Sequence, residues 1–254
     1  MNTTPQKTIG VLLAAGMGTR LGFLTKNIPK ALVTVYGAPL LSYAVQYLRR
    51  VGVHEIKIIG GFGFEDVKKI VEKKYPTVKL YENKDYKKGN LYTLDVMLPF
   101  INESFLLMNV DHIYHKAISH KVREQFRDAI IAFTDNDRTL TDDDMKVYTS
   151  SDGKYIKHIS KTLTEYHRGY VGKTFCHKNK LSLYKDAVER AKKKYGDAAV
   201  VEHVLQIIAD DTPQTVEVGD ISGSQWLEVD LPHERDRAEE EVHNNKTDFY
   251  DESI

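Results

Sequence analysis

The stretch Ile9–Lys30, IGVLLAAGMGTRLGFLTKNIPK, constrains this chain more than any other. Its apolar run, Ile9 to Leu13, has the length and composition of a buried strand, and it turns at once into Ala14, Ala15, Gly16, Met17, Gly18, Thr19 and Arg20. A strand is feeding a glycine loop. Where Gly16 and Gly18 stand, nothing on Cα blocks a close ligand, so successive backbone N–H groups can turn into one concave space. Such a nest takes anions, most often phosphate. Arg20 adds a planar, permanently charged fork, and Lys30, brought back by the turn at Asn27-Ile28-Pro29, adds a point charge able to move with a reacting group. Two cations beside a donor-rich loop suggest a triphosphate.

Two other glycine loops do not match. The dinucleotide fingerprint needs G-x-G-x-x-G, and here the third glycine, Gly22, arrives one residue late. The P-loop needs G-x-x-x-x-G-K-[ST], and Gly172-Lys173-Thr174 lacks the glycine five places earlier. What remains, L-A-A-G-x-G-T-R-L followed by P-K-A-L-V-x-V-x-G-x-P-L-L, resembles the signature of the sugar-phosphate nucleotidylyltransferases, with Arg20, Pro29, Lys30 and Gly37 all in that family's positions. The resemblance implies that Leu13, Ala14, Ala15, Gly16, Gly18, Thr19, Arg20 and Lys30 meet a nucleotide.

The rest of the chain reads as strand alternating with helix. Apolar residues at 40, 41, 44, 45, 48 and 51 make a helical stripe stopped by Gly52. Glu55–Gly60 and Val78–Tyr81 read as strands with a helix, Glu65–Lys74, between them, and a helix at Leu91–Leu98 precedes a strongly apolar strand, Phe105–Val110. Met145–Thr149 and Tyr155–Ser160 form a hairpin around Ser151-Asp152-Gly153, and Tyr170 begins the next strand. Helices at Asn179–Tyr195 and Ala199–Ala209, strands at Val216–Val218 and Trp226–Val229, and a helix begun near Pro232 complete the pattern. The expected fold is α/β: a Rossmann-like, doubly wound, mostly parallel sheet, GT-A-like by resemblance, with ligands beyond the carboxyl ends of the strands. Residues 1–243 are expected as one domain, with a nucleotide-binding half at 8–110, an acceptor-binding half at 111–243, and a polar, poorly ordered tail at 244–254.

Composition excludes several partners. With 36 basic against 36 acidic residues, no global field recruits nucleic acid or an anionic membrane. No apolar run approaches the roughly 20 residues that cross a bilayer. One cysteine, Cys176, builds no disulfide framework, and MNTTPQKT is not a basic-then-apolar leader, so a cytoplasmic location is expected. Abundant Lys, Glu and Tyr suit a heat-adapted source.

Several later residues are candidates for chemistry. Gly89-Asn90 with Tyr92 and Thr93 offers donors and acceptors able to read a base edge, and Asn90 is equally suited to cap a helix; relatives place a base-contacting turn there, which brings Gly89, Asn90 and Thr93 into the nucleotide set. Asp111, at the tip of a buried strand, is placed to hold Mg²⁺ through oxygen. The family has a Gly-Asp pair at this point, and Val110 replaces the glycine. His112, His115 and His120 lack the partners of a closed zinc site. The acidic run Thr134–Asp144 lacks the glycine and glutamate of a calcium loop and reads as a mobile surface loop. By resemblance, Lys161 lies near an acceptor phosphate, with Glu165 and Gly172 nearby, and the second metal carboxylate comes from W-L-E-V-D, as Asp230 or alternatively Glu228.

Within the family, the K-G-N-x-Y-S/T turn, the Asp-His pair, the I-S-K-x-L hairpin and the W-x-x-V-D end look most similar to the inositol-1-phosphate cytidylyltransferases of thermophiles, whose product feeds osmolyte synthesis. The implied reaction is Mg²⁺-dependent transfer of a cytidylyl group from CTP to L-myo-inositol-1-phosphate, giving CDP-inositol and pyrophosphate, with Arg20, Lys30 and Asp111 as the catalytic groups. Phosphocholine or a hexose-1-phosphate is the alternative acceptor, and a non-catalytic nucleotide sensor is the alternative of another class. A homo-oligomer and a separate membrane transferase that consumes the product belong to the same expectation.

Overall fold

The computed structural model describes residues 7–251. The first apolar run becomes β1 (Thr8–Ala14), buried at every position. After the glycine loop, β2 (Thr34–Val35) and β3 (Ala38–Pro39) form a hairpin whose turn residues, Tyr36 and Gly37, are both left-handed, with φ of 47° and 75°; this is the backbone that matches strand twist. Then come α1 (Leu40–Val51), β4 (Glu55–Gly60), α2 (Phe64–Lys74), β5 (Lys79–Glu82), α3 (Asn90–Asp95) and β6 (Ser104–Asn109). The stripe read from the sequence is buried, and so are Ser42, Tyr43, Gln46 and Tyr47 between its members, so α1 is enclosed on nearly all sides; Gly52 ends the helix in the left-handed conformation that a residue with Cβ resists.

The second half adds β7 (His112–Tyr114), α4 (Lys116–Glu124), β8 (Ile130–Asp135), β9 (Lys146–Thr149), β10 (Ile156–Ser160) and β11 (Arg168–Cys176). These are followed by α5 (Leu181–Tyr195), α6 (Val201–Asp211), β12 (Val216–Asp220), β13 (Trp226–Glu228), α7 (Pro232–Asn244) and α8 (Lys246–Phe249). The main sheet has nine strands in the order β10-β9-β11-β6-β1-β4-β5, with β8 and β12 continuing from β11. Strands β6, β1, β4 and β5 are mutually parallel, while β11 enters antiparallel to β6, β8 and β9. The doubly wound, mostly parallel α/β sheet is therefore present, with its sense reversed at β11 and β10.

Helices cover both faces. Apolar side chains of α1, α2 and α4 pack on one side of the sheet and those of α3, α5 and α6 on the other. Cys176 lies in the second of these layers, fully buried, and desolvation pushes its thiol well up. Because the thiolate is the reactive form, the native protein should resist a thiol reagent such as DTNB and release one equivalent of chromophore only when unfolded. Rapid labelling of the native protein would contradict this packing.

Two expectations are corrected. Residues 244–251 are not a poorly ordered tail: Phe249 is 2% exposed in a cluster with α1 and α7, and the Asp251 carbonyl accepts from Gln46 Nε2 at 2.6 Å. Burial of one aromatic ring gives this polar segment its anchor. Residues 252–254 of the predicted tail lie outside the described residues. Thr134 and Asp135, read as the start of a mobile loop, are instead the buried end of β8. The rest of that loop is tied down by Arg138, which bonds Asp135 at 3.1 Å and Asp144 at 2.5 Å. Among the described residues, no helix is long and apolar enough to cross a membrane.

Candidate active site

The glycine loop lies beyond the carboxyl end of β1, flanked by the ends of β4 and β6. Gly18 is left-handed, with φ 68° and ψ 36°. A Cβ there would stand 2.9 Å from Thr25 Cγ2 and 3.0 Å from Lys30 Cβ, so glycine is what lets Lys30 lie against the loop. Thr25 donates to the Gly18 carbonyl at 2.7 Å and closes the turn. At Gly16 an added Cβ meets nothing within 4 Å, because that position faces open space. Gly16→Ala should therefore leave the melting temperature unchanged and weaken nucleotide binding, measurable by calorimetric titration; unchanged affinity would remove the loop from the binding site.

Lys30 is 7% exposed, and its ammonium lies between two acids 119 residues apart in the chain, Asp111 and Asp230. Its Nζ donates to Asp111 Oδ2 at 2.6 Å and to Asp230 Oδ1, and Arg20 bonds the other oxygen of Asp230. Asp111 follows β6, where Val110 N donates to Leu13 O at 3.1 Å. Asp230 follows β13, where Glu234 accepts from the Asp230 and Leu231 amides at 2.8 and 2.9 Å. Burial pushes the Asp111 carboxyl up, but the Lys30 ammonium and the His112 ring, which contacts Asp111 Oδ1 at 2.6 Å, together hold it well below the usual carboxylate range.

The small ladder of β7 with β13 completes this end of the site. It is antiparallel and sets Glu228 opposite His112. Asp111, His112 and Glu228 accordingly offer ligand atoms within 4.8 Å of one another, a group able to hold a metal ion. Mg²⁺ prefers carboxylate oxygens and water to imidazole, so Asp111 with Asp230 or Glu228 fits that ion. The convergence of two carboxylates on one ammonium shows that this point demands positive charge.

Two cavities meet here. The smaller, about 260 Å³, is lined by Leu13, Ala15, Gly16, Gly18, Thr19, Arg20, Lys30, Asn90 and Thr93 among others. The larger, about 500 Å³, is lined by residues including Met145, Ser160, Lys161, Tyr170, Gly172, Glu202, His203, Trp226 and Glu228. Arg20, Asn90, Asn109, Asp111 and Asp230 line both. Three residues singled out in the sequence line neither: Ala14, buried in β1, Gly89, and Glu165, which is exposed. Gly89 instead meets the segment before α6, its amide donating to Asp197 O at 2.6 Å. Asn90 next to it caps a helix, but not its own: Oδ1 accepts from Val201 N at 3.0 Å, at the start of α6. That leaves the Asn90 amide nitrogen for a ligand. Thr93 is 4% exposed and its hydroxyl accepts from Asn83.

Gly172 has a structural reason of its own. It lies at φ +65° where the pairing of β11 with β8 shifts register, and a Cβ would stand 2.9 Å from the His112 ring. His112 is stacked with Trp226 at 5.2 Å and with Tyr114 at 5.7 Å, so it is a wall of the larger cavity and not an ordinary surface histidine. Arg138 lies over Trp226 at 4.5 Å. Sequence reasoning assigned no role to Asn109, His112, Arg138, Tyr170, Glu202 or His203. The available signal was an acid and a histidine, Glu202-His203, interrupting the apolar stripe of α6.

The model of the MobA-like NTP transferase domain matches residues 10–204. The chain belongs to this family. Among known proteins, the chain is 27% identical over 232 residues to the bifunctional IPC transferase and DIPP synthase of Aquifex aeolicus, covering 90% of the chain and 50% of that protein. It is 35% identical over 117 residues to the 2-aminoethylphosphonate cytidylyltransferase of Lancefieldella rimae, covering 43% of the chain and 47% of that protein. The chain thus spans about half the length of the curated relatives it matches. The inositol-1-phosphate CTP transferase of T. maritima superposes with a TM-score of 0.77 at 22% identity, covering 91% of this chain and 93% of that one, and so shares its fold.

Proposed function

We propose that this chain transfers a cytidylyl group from CTP to a phosphomonoester acceptor, L-myo-inositol-1-phosphate, giving CDP-inositol and pyrophosphate. The observation that carries the reading is Lys30, whose ammonium bridges Asp111 and Asp230 at the junction of the two cavities. A junction of that charge suits a phosphoryl group passing from one ligand to another. The names of the relatives support the cytidylyl donor, and the match along 90% of the chain to an IPC transferase supports the inositol acceptor.

An acceptor phosphate oxygen attacks the α-phosphorus of CTP; the new P–O bond forms as the bond to the bridging oxygen breaks, and pyrophosphate leaves. The amides around Gly16 and Gly18, with Arg20, hold the departing β- and γ-phosphates. Lys30 stabilises charge spreading over the α-phosphoryl oxygens, and Lys161, in the larger cavity, neutralises the acceptor phosphate. The amide nitrogen of Asn90 reads the base. Asp111 with Asp230, or with Glu228, would hold Mg²⁺, which when bound supplies charge neutralisation at the phosphoryl oxygens.

Pyrophosphate release tests this, crossing CTP, UTP, dTTP, ATP and GTP against inositol-1-phosphate, phosphocholine, 2-aminoethylphosphonate and glucose-1-phosphate. Turnover confined to CTP with inositol-1-phosphate is expected. Turnover with another pair would discard the acceptor and keep the chemistry, and binding of nucleotide with no release in any combination would mark a sensor.

A further inference from the structure

Most acids around the larger cavity already have cations. Asp111 contacts Lys30 and His112, Asp230 contacts Lys30 and Arg20, Asp144 bonds Arg138 at 2.5 Å, and Asp143 lies 3.8 Å from Arg20 and 3.9 Å from Lys161. Glu228 joins Asp111 and His112 in the group able to hold a metal. Glu202 is different. It is 8% exposed in the first turn of α6, it lines the cavity, and among the described residues no cation stands within ion-pair distance of it. Burial raises its carboxyl above the ordinary value; its own backbone N–H and, beyond ion-pair distance, Lys161 and His112 oppose that shift, while Asp111 adds to it. A carboxylate withdrawn from water without a partner is costly, and the cavity is where a partner would arrive.

The next residue defines the partner's chemistry. His203 also lines the cavity, and its Nδ1 accepts from Val200 N at 3.2 Å, which leaves Nε2–H as a donor. Its ring stacks on Tyr195 at 3.7 Å, and burial lowers its pKa, so it stays neutral. As a carboxylate Glu202 only accepts, and His203 Nε2 only donates. A hydroxyl meets both groups, whereas an ammonium pairs with Glu202 but offers the His203 Nε2–H no acceptor. A quaternary ammonium would in addition need open aromatic faces. Here Trp226 already carries Arg138 and His112, and Tyr170 is 4% exposed.

Building on the cytidylyl-transfer reading, we propose that Glu202 and His203 are the specificity-determining pair for the acceptor: they exchange hydrogen bonds with hydroxyls of its alcohol moiety and select polyol phosphates over amine-bearing ones. Neither residue touches the reacting atoms, so the pair acts on acceptor affinity. A cavity of about 500 Å³ has room for a cyclic polyol with its phosphate directed at Lys161.

Steady-state pyrophosphate release with Mg²⁺ and CTP provides the test, comparing wild type with Glu202→Gln, Glu202→Ala and His203→Ala. For inositol-1-phosphate, KM should rise at least tenfold in Glu202→Ala, with kcat reduced less than threefold and the KM for CTP within twofold. Deoxy analogues of inositol-1-phosphate should show the link directly: one of them, poor for wild type, should suffer no further loss in Glu202→Ala. A wild-type enzyme active on inositol-1-phosphate whose variants keep its KM would overturn the pair and leave the proposed function standing. Preference of wild type for phosphocholine or 2-aminoethylphosphonate would overturn both the inositol assignment and the hydroxyl-reading role. Lack of turnover with every acceptor would refute the transfer reaction itself, and the proposal with it.

Discussion

Lys30→Ala is expected to lower turnover about 10³-fold, the scale associated with losing one preorganised charge at a reacting centre, while the protein stays folded. Lys30 is held by the loop on one side, through the contact that Gly18 permits, and by Asp111 and Asp230 on the other. Before any ligand arrives the two acids thus keep the ammonium at the junction of the cavities, from which it would swing to the α-phosphoryl oxygens once the carboxylates hold Mg²⁺. Lys30→Arg should recover little, because a planar guanidinium cannot occupy the point between two carboxylates that an ammonium fills. The stability effect has a defined sign. With its depressed pKa, Asp111 contributes stability above the ordinary carboxylate value of about 3.9, and that contribution is lost only as pH falls through the lower folded value. Without Lys30, burial acts on Asp111 with less opposition, so acid unfolding of the variant should begin at higher pH. Pyrophosphate release, and thermal melts between about pH 2 and about pH 8 sampled at roughly unit steps, check both statements; activity within tenfold of wild type would remove Lys30 from the reaction.

Gly89→Ala is expected to cost about 3 kcal/mol of stability, the range in which a buried clash that only backbone movement can relieve is found. The added Cβ would lie 2.0 Å from the Ala199 carbonyl oxygen and 2.8 Å from its carbon. Neither is the end of a flexible side chain. The same backbone carries the bonds from Gly89 N to Asp197 O and from Leu91 N to Ala199 O, so relief by separation breaks them. For a chain of this size the melting temperature should fall by about 10 °C, and KM should rise for nucleotide and acceptor alike. Chemical denaturation beside the Gly16→Ala protein gives the comparison. Equal stability of the two variants would show that the contact relaxes freely.

Much of the fold is legible because its signals are local. The apolar runs of β1, β4 and β6 and the stripe of α1 name their own elements, and Gly16, Gly18, Arg20 and Lys30 lie within one short stretch. The acceptor side is less legible because it is assembled at a distance. His112 becomes a wall of the cavity only when β7 pairs with β13, and Arg138 reaches Trp226 across 88 residues. Glu202 carries a signal, an acid in an apolar stripe, whose meaning depends on which cations fail to reach it. The end of the chain misleads for another reason: composition averages over its polar residues, whereas Phe249 alone fixes it.

The contact between Gly89-Asn90 and the start of α6 also bears on how such an enzyme could be re-engineered. The residue proposed to meet the base supplies the cap of the helix that carries Glu202 and His203, and the glycine before it is shaped to the Ala199 backbone. These two segments, far apart in the chain, are therefore one exchangeable unit. A chimera that imports α6 from a relative with a different acceptor, and leaves residues 89–90 unmatched, would lose the cap and the close fit together. Both contacts end on main-chain atoms at the start of α6. A library that varies only α6 side chains and keeps Gly89 and Asn90 therefore leaves them in place, whereas a change in the backbone path there must be matched at residues 89–90.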